Sequence, residues 1–336
     1  YQTKAILLDC SNYGSVQAKK SCAGGITGRM DLGTISGCGG WGSVGSESGD
    51  YAGGVAGLSL SSVRRSYAKC TLSGGKYVGG ILGSGRRVSD CISMVAITDH
   101  TQLGGAIAGE ITGEYSNNRF VSDTLAGVDR VSYAGKAEQI SYDELCAIEN
   151  IPENFLHLTL RFVAEDSVLR EQEFAYGASF TEEVFPAIPS KDGCYGQWDT
   201  ADLSELHFDT VVTATYEPYI TTLASDTQRD GRAAVLVEGQ FRDGDCLRAD
   251  QIIDLSSALT DAIEAWGLQI PEDGQSSHRI RWRIPADGED AYTVYTLQEN
   301  GWKKVSSEQI GSYLCFAMTG DGQFAVVPAG HAAWWV

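Results

Sequence analysis

The chain has 336 residues, of which 43% are hydrophobic, so it is long enough for two or three domains and too apolar to be disordered throughout. Its formal net charge of −19 at pH 7 excludes nucleic acid and anionic membranes as favoured partners, because binding either requires Lys and Arg to neutralise negative charge. The charge is uneven: residues 1–133 carry 12 Lys and Arg with 10 Asp and Glu, and the remainder carries 13 with 34.

A short glycine motif, a Gly-Gly pair followed by mostly apolar residues and a further Gly, occurs four times in the N-terminal third. Its first glycines are 29, 26 and 25 residues apart, and repeats of this length are units that stack on their neighbours to bury an apolar face. Short β-rich pieces alternate with Gly, Ser and Asn turns, and no proline precedes residue 152. This pattern predicts one coil of a β-helix per repeat, with glycines where the backbone packs closely or takes positive φ. The repeat glycines are Gly24, Gly25, Gly53, Gly54, Gly79, Gly80, Gly104 and Gly105.

Three of the nine cysteines occupy a similar position relative to these repeats. Cys10, Cys38 and Cys91 each precede a Gly-Gly pair by a similar interval, which predicts that they stack inside the solenoid as small hydrophobic residues. Disulfides within such a ladder are disfavoured, because stacked coils rarely offer the required Cβ geometry. The last partial coil is predicted at residues 117–120.

The glycine motif and the Ser/Asn-aromatic-Gly stretch before it resemble the GLUG motif repeat over residues 5–125. The third copy departs from this pattern, because Ser66-Tyr67-Ala68-Lys69-Cys70 lacks the usual glycine. The resemblance implies a β-solenoid, assigned to residues 1–133. It also implies a bacterial secreted or surface protein, since the repeat occurs in such proteins, including the non-catalytic parts of IgA-cleaving metallopeptidases.

A polar linker, residues 134–154, follows the repeats. Within it Ser141 and Glu144 have the spacing of a capping box and predict one short helix before Pro152. The next module, residues 155–220, resembles the Listeria-Bacteroides repeat, which implies a small β-grasp-like fold of surface proteins. Four pieces in the right order carry this resemblance: Tyr176-Gly177, Pro186-Ala187-Ile188-Pro189, Tyr195-Gly196-Gln197-Trp198 and Thr213-Ala214-Thr215-Tyr216.

Residues 221–336 are predicted to form a β-sandwich-like domain, which makes the chain mainly all-β. Asn300-Gly301 and Asp321-Gly322 predict hairpin turns. One inserted helix is predicted from apolar residues recurring every three or four positions before Gly267, namely Leu255, Leu259, Ile263 and Trp266. The Trp pair just before Val336 favours a transmembrane anchor beyond it, which would make this domain membrane-proximal.

No catalytic site is predicted. The five histidines include no H-E-x-x-H pattern, and the sequence has neither G-x-S-x-G nor a P-loop. Residues 37–42 satisfy G-x-G-x-x-G, but Gly/Ser turns follow where a dinucleotide fingerprint needs a helix. We therefore expect no enzyme activity, no cofactor and no metal site in this chain.

Two basic pairs, Arg64-Arg65 and Arg86-Arg87, lie 22 residues apart in successive repeats. Coils stacked in register would bring them near each other and create a patch for an acidic glycan. The alternative is that they are solvated turn residues. The aromatic residues Trp41, Tyr51 and Tyr77 are open to two interpretations, sugar stacking or stacking in the solenoid interior.

The function expected from these features is adhesin-like binding or display in the extracellular part of a bacterial, Gram-positive surface protein, with a glycan or a host protein as ligand. This expectation rests on the family resemblances, and folds of this kind host many functions. Two alternatives stay open: an accessory region of a secreted peptidase or glycan-active enzyme whose catalytic site lies elsewhere, and a structural stalk.

Overall fold

The computed structural model describes residues 4–47, 49–98, 101–129, 131–253, 261–286 and 291–329. Among the described residues, strands account for 57% and helix for 4%, which confirms the mainly β fold class. The chain divides into two compact units, residues 1–186 with 200–213 and residues 187–199 with 214–336. The segment boundaries proposed from sequence at 133, 154 and 220 stay predictions.

The first unit begins with short strands that form three parallel sheets, here called sheets A, B and C. The strands are β1 (Ala5–Leu8), β2 (Ser11–Asn12), β3 (Val16–Ala18), β4 (Ala23–Gly24), β5 (Thr27–Met30), β6 (Gly33–Ser36), β7 (Gly39–Gly40), β8 (Ser43–Ser46), β9 (Tyr51–Gly53), β10 (Ala56–Arg64), β11 (Tyr67–Ser73), β12 (Tyr77–Gly79), β13 (Leu82–Ser89), β14 (Ile92–Ile97), β15 (Leu103–Gly105), β16 (Ala108–Ser116), β17 (Asn118–Val121) and β18 (Ala137–Gln139).

The chain visits the three sheets in turn, once per coil. Sheet A has the order β1-β6-β10-β13-β16 with β5 beside β10, sheet B runs from β2 through β7, β11, β14 and β17 to β18 with β3 and β8 alongside, and sheet C has the order β4-β9-β12-β15. This is a β-solenoid of about four turns, as predicted. One rung extends past the predicted last coil, since β18 pairs with β17.

The repeat glycines stack at the corner after sheet C. Gly24 pairs with Gly53, Gly53 with Gly79, and Gly79 with Gly105, so the fourth motif is shifted by one residue and Gly104 lies beside Val78 instead. A Cβ on any of these four glycines would lie 2.1 Å from the carbonyl oxygen of the residue three positions later. None of the eight repeat glycines has a positive φ. Close backbone approach therefore explains the four paired glycines, whereas a Cβ on Gly104 would meet only side-chain atoms, the nearest at 3.4 Å. The left-handed conformation explains none of the eight.

The left-handed conformation occurs at a different corner, between sheets A and B. One residue with positive φ stands there in each coil: Asp9, Gly37, Arg65, Asp90 and Asn117. The next residue in each coil points inward, and these residues are Cys10, Cys38, Ser66, Cys91 and Asn118. Backbone N–H groups donate along this column, from Cys38 to Ser66 Oγ at 3.3 Å and from Cys91 to Asn118 Oδ1 at 3.1 Å. Cys38 and Cys91 are buried in the solenoid core as predicted, and Cys10 is partly buried against the same core.

All nine cysteines are free. Burial raises the pKa of the Cys70 and Cys91 thiols to about 12, so both stay protonated at neutral pH. A protonated, buried thiol is neither nucleophilic nor readily oxidised.

The outer face of sheet B is covered by the linker. Helix α1 (Tyr142–Cys146) begins at Ser141, whose capping box with Glu144 is formed as predicted. A 3-10 helix at Glu153–Phe155 follows, and Phe155 is buried edge-on against Trp41 with ring centroids 5.5 Å apart. Trp41 thus packs in a cluster outside the solenoid core, with Tyr67 stacked on it at 6.5 Å. Trp41 therefore does not stack in the solenoid interior; its ring contacts Phe155 of the linker that covers sheet B.

A four-stranded sheet of order β20-β19-β22-β21 follows, and the boundary between the two units falls within β22. Its strands are β19 (Leu158–Ala164), β20 (Ser167–Phe174), β21 (Cys194–Trp198) and β22 (Thr210–Pro218), with a 3-10 helix at Glu182–Val184. Inside the first unit, the buried Lys69 of β11 ties this sheet to the solenoid. Its Nζ lies 2.6 Å from Asp209 Oδ2 and donates to the carbonyl oxygen of His157 at 2.6 Å.

The second unit is a sandwich of two five-stranded antiparallel sheets, of orders β23-β26-β29-β33-β32 and β27-β28-β34-β30-β31. The strands are β23 (Ile220–Ala224), β24 (Gln228–Arg229), β25 (Arg232–Ala233), β26 (Val235–Phe241), β27 (Arg248–Gln251), β28 (Glu264–Gln269), β29 (His278–Arg283), β30 (Tyr292–Gln298), β31 (Gly301–Val305), β32 (Ser307–Ile310), β33 (Tyr313–Met318) and β34 (Gly322–Pro328). Buried side chains of both sheets, including Trp266, Trp282 and Phe324, form one core.

Three local predictions in this unit have different outcomes. The hairpin at Asn300-Gly301 is confirmed, since β30 pairs with β31. The predicted hairpin at Asp321-Gly322 is wrong, because β33 and β34 belong to different sheets and the turn connects one sheet to the other. Leu255 and Leu259 of the predicted helix lie outside the described residues, whereas Trp266 lies in β28, where its buried ring packs as part of a period-two pattern. Within the described ranges, no helix is long and apolar enough to cross a membrane.

Candidate functional site

The predicted arginine patch lies on the outside of sheet A and at its corner with sheet B. Arg64 of β10 pairs with Ser89 of β13, and Arg87 of β13 pairs with Ser62 of β10. The Arg64 and Arg87 side chains are therefore diagonal neighbours on adjacent strands, two positions out of register. Arg86 lies at a register shift of β13, and Arg65 stands at the corner, where it donates to Ser36 Oγ at 3.3 Å.

A carboxylate on the next coil faces this patch. Arg87 pairs with Glu114 in the β13–β16 register, and Arg87 Nε lies 3.9 Å from Glu114 Oε2, with both side chains largely exposed. Glu114 stands 27 residues after Arg87, so the coil period alone could have located it. Its charge reduces the attraction of the patch for an anion. Whether the four arginines bind an acidic glycan stays a prediction.

A second surface of the first unit is concave. A cleft of about 560 Å³ lies between the last solenoid rung, helix α1 and the segment after β20. We call it the Asp123 cleft. Its lining residues are Val121, Ser122, Asp123, Gln139, Ile140, Ser141, Tyr142, Asp143 and Tyr176.

The Asp123 carboxylate is held in place by donors from the other side of the cleft. The Tyr176 hydroxyl donates to Asp123 Oδ2 at 2.8 Å, and His207 Nδ1 lies 2.9 Å from the same oxygen. Asp123 Oδ1 accepts no hydrogen bond from any residue that the structure describes, and the side chain is 53% exposed. A carboxylate has about four acceptor positions, so Asp123 keeps several for a ligand.

Three rings are stacked beside Asp123, and two of them, Tyr142 and Tyr176, line the cleft. Tyr176 lies between Tyr142, at 4.9 Å and 10° between ring planes, and His207, at 4.6 Å and 26°. Burial raises the pKa of Tyr176, and the hydrogen bond to Asp123 acts in the same direction. Burial likewise raises the pKa of Tyr142, whose hydroxyl donates to the carbonyl oxygen of Phe155 at 2.7 Å. Both phenols therefore stay protonated and act as donors at neutral pH.

The opposite wall comes from the end of the solenoid. Gln139 of β18 donates through Nε2 to the carbonyl oxygen of Ser122 at 2.7 Å, which fixes its side chain along the rim. Asp143 lies in the first turn of α1 and is exposed. Val121 and Ile140 add apolar surface between these polar groups. The arrangement can accept hydrogen bonds from hydroxyl groups and can contact apolar ligand faces.

In the described parts of the chain, no group of three or more His, Cys, Asp and Glu side chains is close enough together to hold a metal ion. In the second unit, buried Asp273 accepts hydrogen bonds from the backbone N–H groups of Gln240 and Gln275 and lies 3.0 Å from His278 Nε2. These contacts hold the loop between β28 and β29 against β26 and the start of β29. His100 and His331 lie outside the described residues.

The cleft was not predicted from the sequence. Its residues come from four separate segments, and no motif joins them. The one available signal was the capping box, since Ser141 and Glu144 located the helix that carries Tyr142 and Asp143. Comparisons with protein-family models, with curated proteins and with solved structures find no match to this chain.

Proposed function

We propose that this chain is a non-catalytic, extracellular ligand-binding region of a bacterial surface protein, and that the Asp123 cleft is its binding site. The observation that carries the proposal is the Asp123 carboxylate, held by Tyr176 and His207 on one side and open to solvent on the other. A polar group fixed in advance loses little freedom on binding, which favours recognition.

The extracellular, Gram-positive assignment is part of the same proposal. It is supported by the resemblance of the four-turn solenoid to GLUG motif repeats and of residues 155–220 to the Listeria-Bacteroides repeat. Protonated, buried thiols such as Cys91 would survive outside the cell without pairing.

Binding of the whole chain to immobilised glycans and host-matrix proteins tests the proposal. We expect saturable binding to at least one ligand class, and we expect Asp123→Asn to weaken it. Asp166→Asn, on the exposed turn between β19 and β20, is the matched control and should bind as the wild type does. Absence of binding across the panel would overturn the proposal.

A structural stalk is the second candidate. It is supported by the continuous hydrogen bonding of three parallel sheets from coil to coil, which makes the solenoid a stiff spacer that needs no ligand. A chain that binds nothing and separates two attached domains by a fixed distance would favour the stalk over the binding region.

A further inference from the structure

We propose that the Asp123 cleft selects neutral, hydroxyl-rich ligands, meaning glycans without acidic groups. This inference rests on the proposed function and names the ligand class of the same site. It also separates the cleft from the arginine patch, which would take acidic glycans.

Charge is the first argument. Asp123 and Asp143 both line the cleft, and no Lys or Arg stands among the described residues of its lining. A carboxylate or sulfate on a ligand would meet two negative charges without a partner, which disfavours anions in a partly enclosed site. A neutral hydroxyl meets no such repulsion.

Hydrogen-bonding capacity is the second argument. Asp123 Oδ2 already accepts from Tyr176 and His207, so the carboxylate cannot turn away from the cleft, while Oδ1 stays open. The Gln139 amide donates through Nε2 to Ser122, which leaves its carbonyl oxygen as an acceptor. A pair of adjacent ligand hydroxyls can donate to these acceptors, and hydrogen bonds to a charged acceptor are the stronger kind.

Size and apolar surface are the third argument. The cleft volume of about 560 Å³ lies within the range of about 300–1,000 Å³ typical of small-molecule sites. It suits one or two sugar rings. Sugar rings also carry C–H faces, which Ile140 and the Tyr142 ring can contact. A cation would use only the two carboxylates and none of this apolar lining.

Titration calorimetry on the whole chain tests the ligand class. One series uses neutral hexose and N-acetylhexosamine disaccharides and trisaccharides, the second uses uronic-acid and sulfated oligosaccharides of the same lengths, and the third uses amino sugars. The variants are Asp123→Asn, Tyr176→Phe and Arg64→Gln combined with Arg87→Gln. Thermal unfolding of each variant shows whether it is folded.

We expect binding in the neutral series, weakened roughly tenfold by Asp123→Asn because a hydrogen bond to a charged acceptor is lost. Tyr176→Phe should weaken it less, since the ring stack is kept, and the arginine variant should bind unchanged. If only acidic oligosaccharides bind and Asp123→Asn weakens that binding, the inference falls while the proposed cleft keeps a ligand. If the arginine variant loses that binding instead, the inference and the assignment of the cleft as the binding site both fall. Binding confined to amino sugars also overturns the neutral class, and no binding to sugars or matrix proteins overturns both proposals.

Discussion

Gly79 has no room for a side chain in the solenoid. A Cβ there would lie 2.1 Å from the carbonyl oxygen of Leu82, three residues further along the same coil, and 2.4 Å from the Cα of Ala108 on the next coil. The corner cannot yield without separating two coils. Gly75 offers a matched control, because its nearest neighbour would be 3.6 Å away and its φ is not positive.

We therefore predict that Gly79→Ala lowers the free energy of unfolding by about 2 kcal/mol or more, as overpacked sites do. Gly75→Ala should change it by less than about 0.5 kcal/mol. Urea denaturation followed by circular dichroism measures both. Equal stability of the two variants would mean that the coils are not stacked in the register described.

Asp273 sets a pH dependence in the second unit. Burial acts to raise its pKa, but hydrogen bonds from the backbone of Gln240 and Gln275 and from His278 outweigh this and hold the pKa below its usual value. The stabilisation is therefore complete above the unfolded-state pKa of about 3.9 and is lost as the pH falls through the lower folded-state value.

Asp273→Asn should accordingly make the chain less stable at pH 6 and should flatten the loss of stability between pH 4 and pH 2.5. Denaturation of both proteins at a series of pH values is the measurement, with Asp166→Asn as the exposed control. A variant whose stability falls with acid as steeply as that of the wild type would contradict the assignment.

At the scale of elements, Lys69 joins a solenoid strand to the sheet that follows. It is only 5% exposed, and its Nζ contacts Asp209 and the carbonyl oxygen of His157. Asp209 also accepts from the backbone N–H of Thr159 at 2.9 Å, so the contacts link β11 to the start of β19. Loss of the ammonium group leaves Asp209 and the carbonyl oxygen of His157 without this donor at a largely buried position.

Lys69→Met should lower the free energy of unfolding by about 2 kcal/mol. This loss is smaller than for a fully buried ion pair, because Asp209 is partly exposed. Arg161→Met removes an exposed pair with Glu171 in the same sheet and should cost less than about 0.5 kcal/mol. Chemical denaturation compares the two. If both variants are equally stable, the Lys69 contacts do not hold the sheet to the solenoid.

Sequence periodicity revealed some of these elements and missed others for physical reasons. Repeated Gly-Gly pairs predicted the coils because close backbone approach excludes any other residue. The left-handed corner was missed, because Asp9, Gly37, Arg65, Asp90 and Asn117 share a conformation without sharing a side chain. The turn at Asp321 was misread, since a turn sequence does not specify which sheet receives the next strand.

At the scale of the whole molecule, the fold class followed from composition and repeats, but the cleft did not. Its residues converge from positions 121–123, 139–143, 176 and 207, and the distances that matter are set by packing between the last coil and its cover. The arginine patch was predicted from the positions of basic residues alone. The coil period also places the Glu114 carboxylate beside Arg87, which lowers the positive charge of the patch.

If the Asp123 cleft is where this chain binds its ligand, a bound ligand protects the backbone around the cleft. Hydrogen exchange measured by mass spectrometry, with and without a saturating neutral trisaccharide, measures this protection. We predict slower exchange in peptides covering residues 121–123, 139–143 and 176, with unchanged exchange in β10 and β13. Protection confined to β10 and β13, or no protection anywhere, would contradict binding in the cleft.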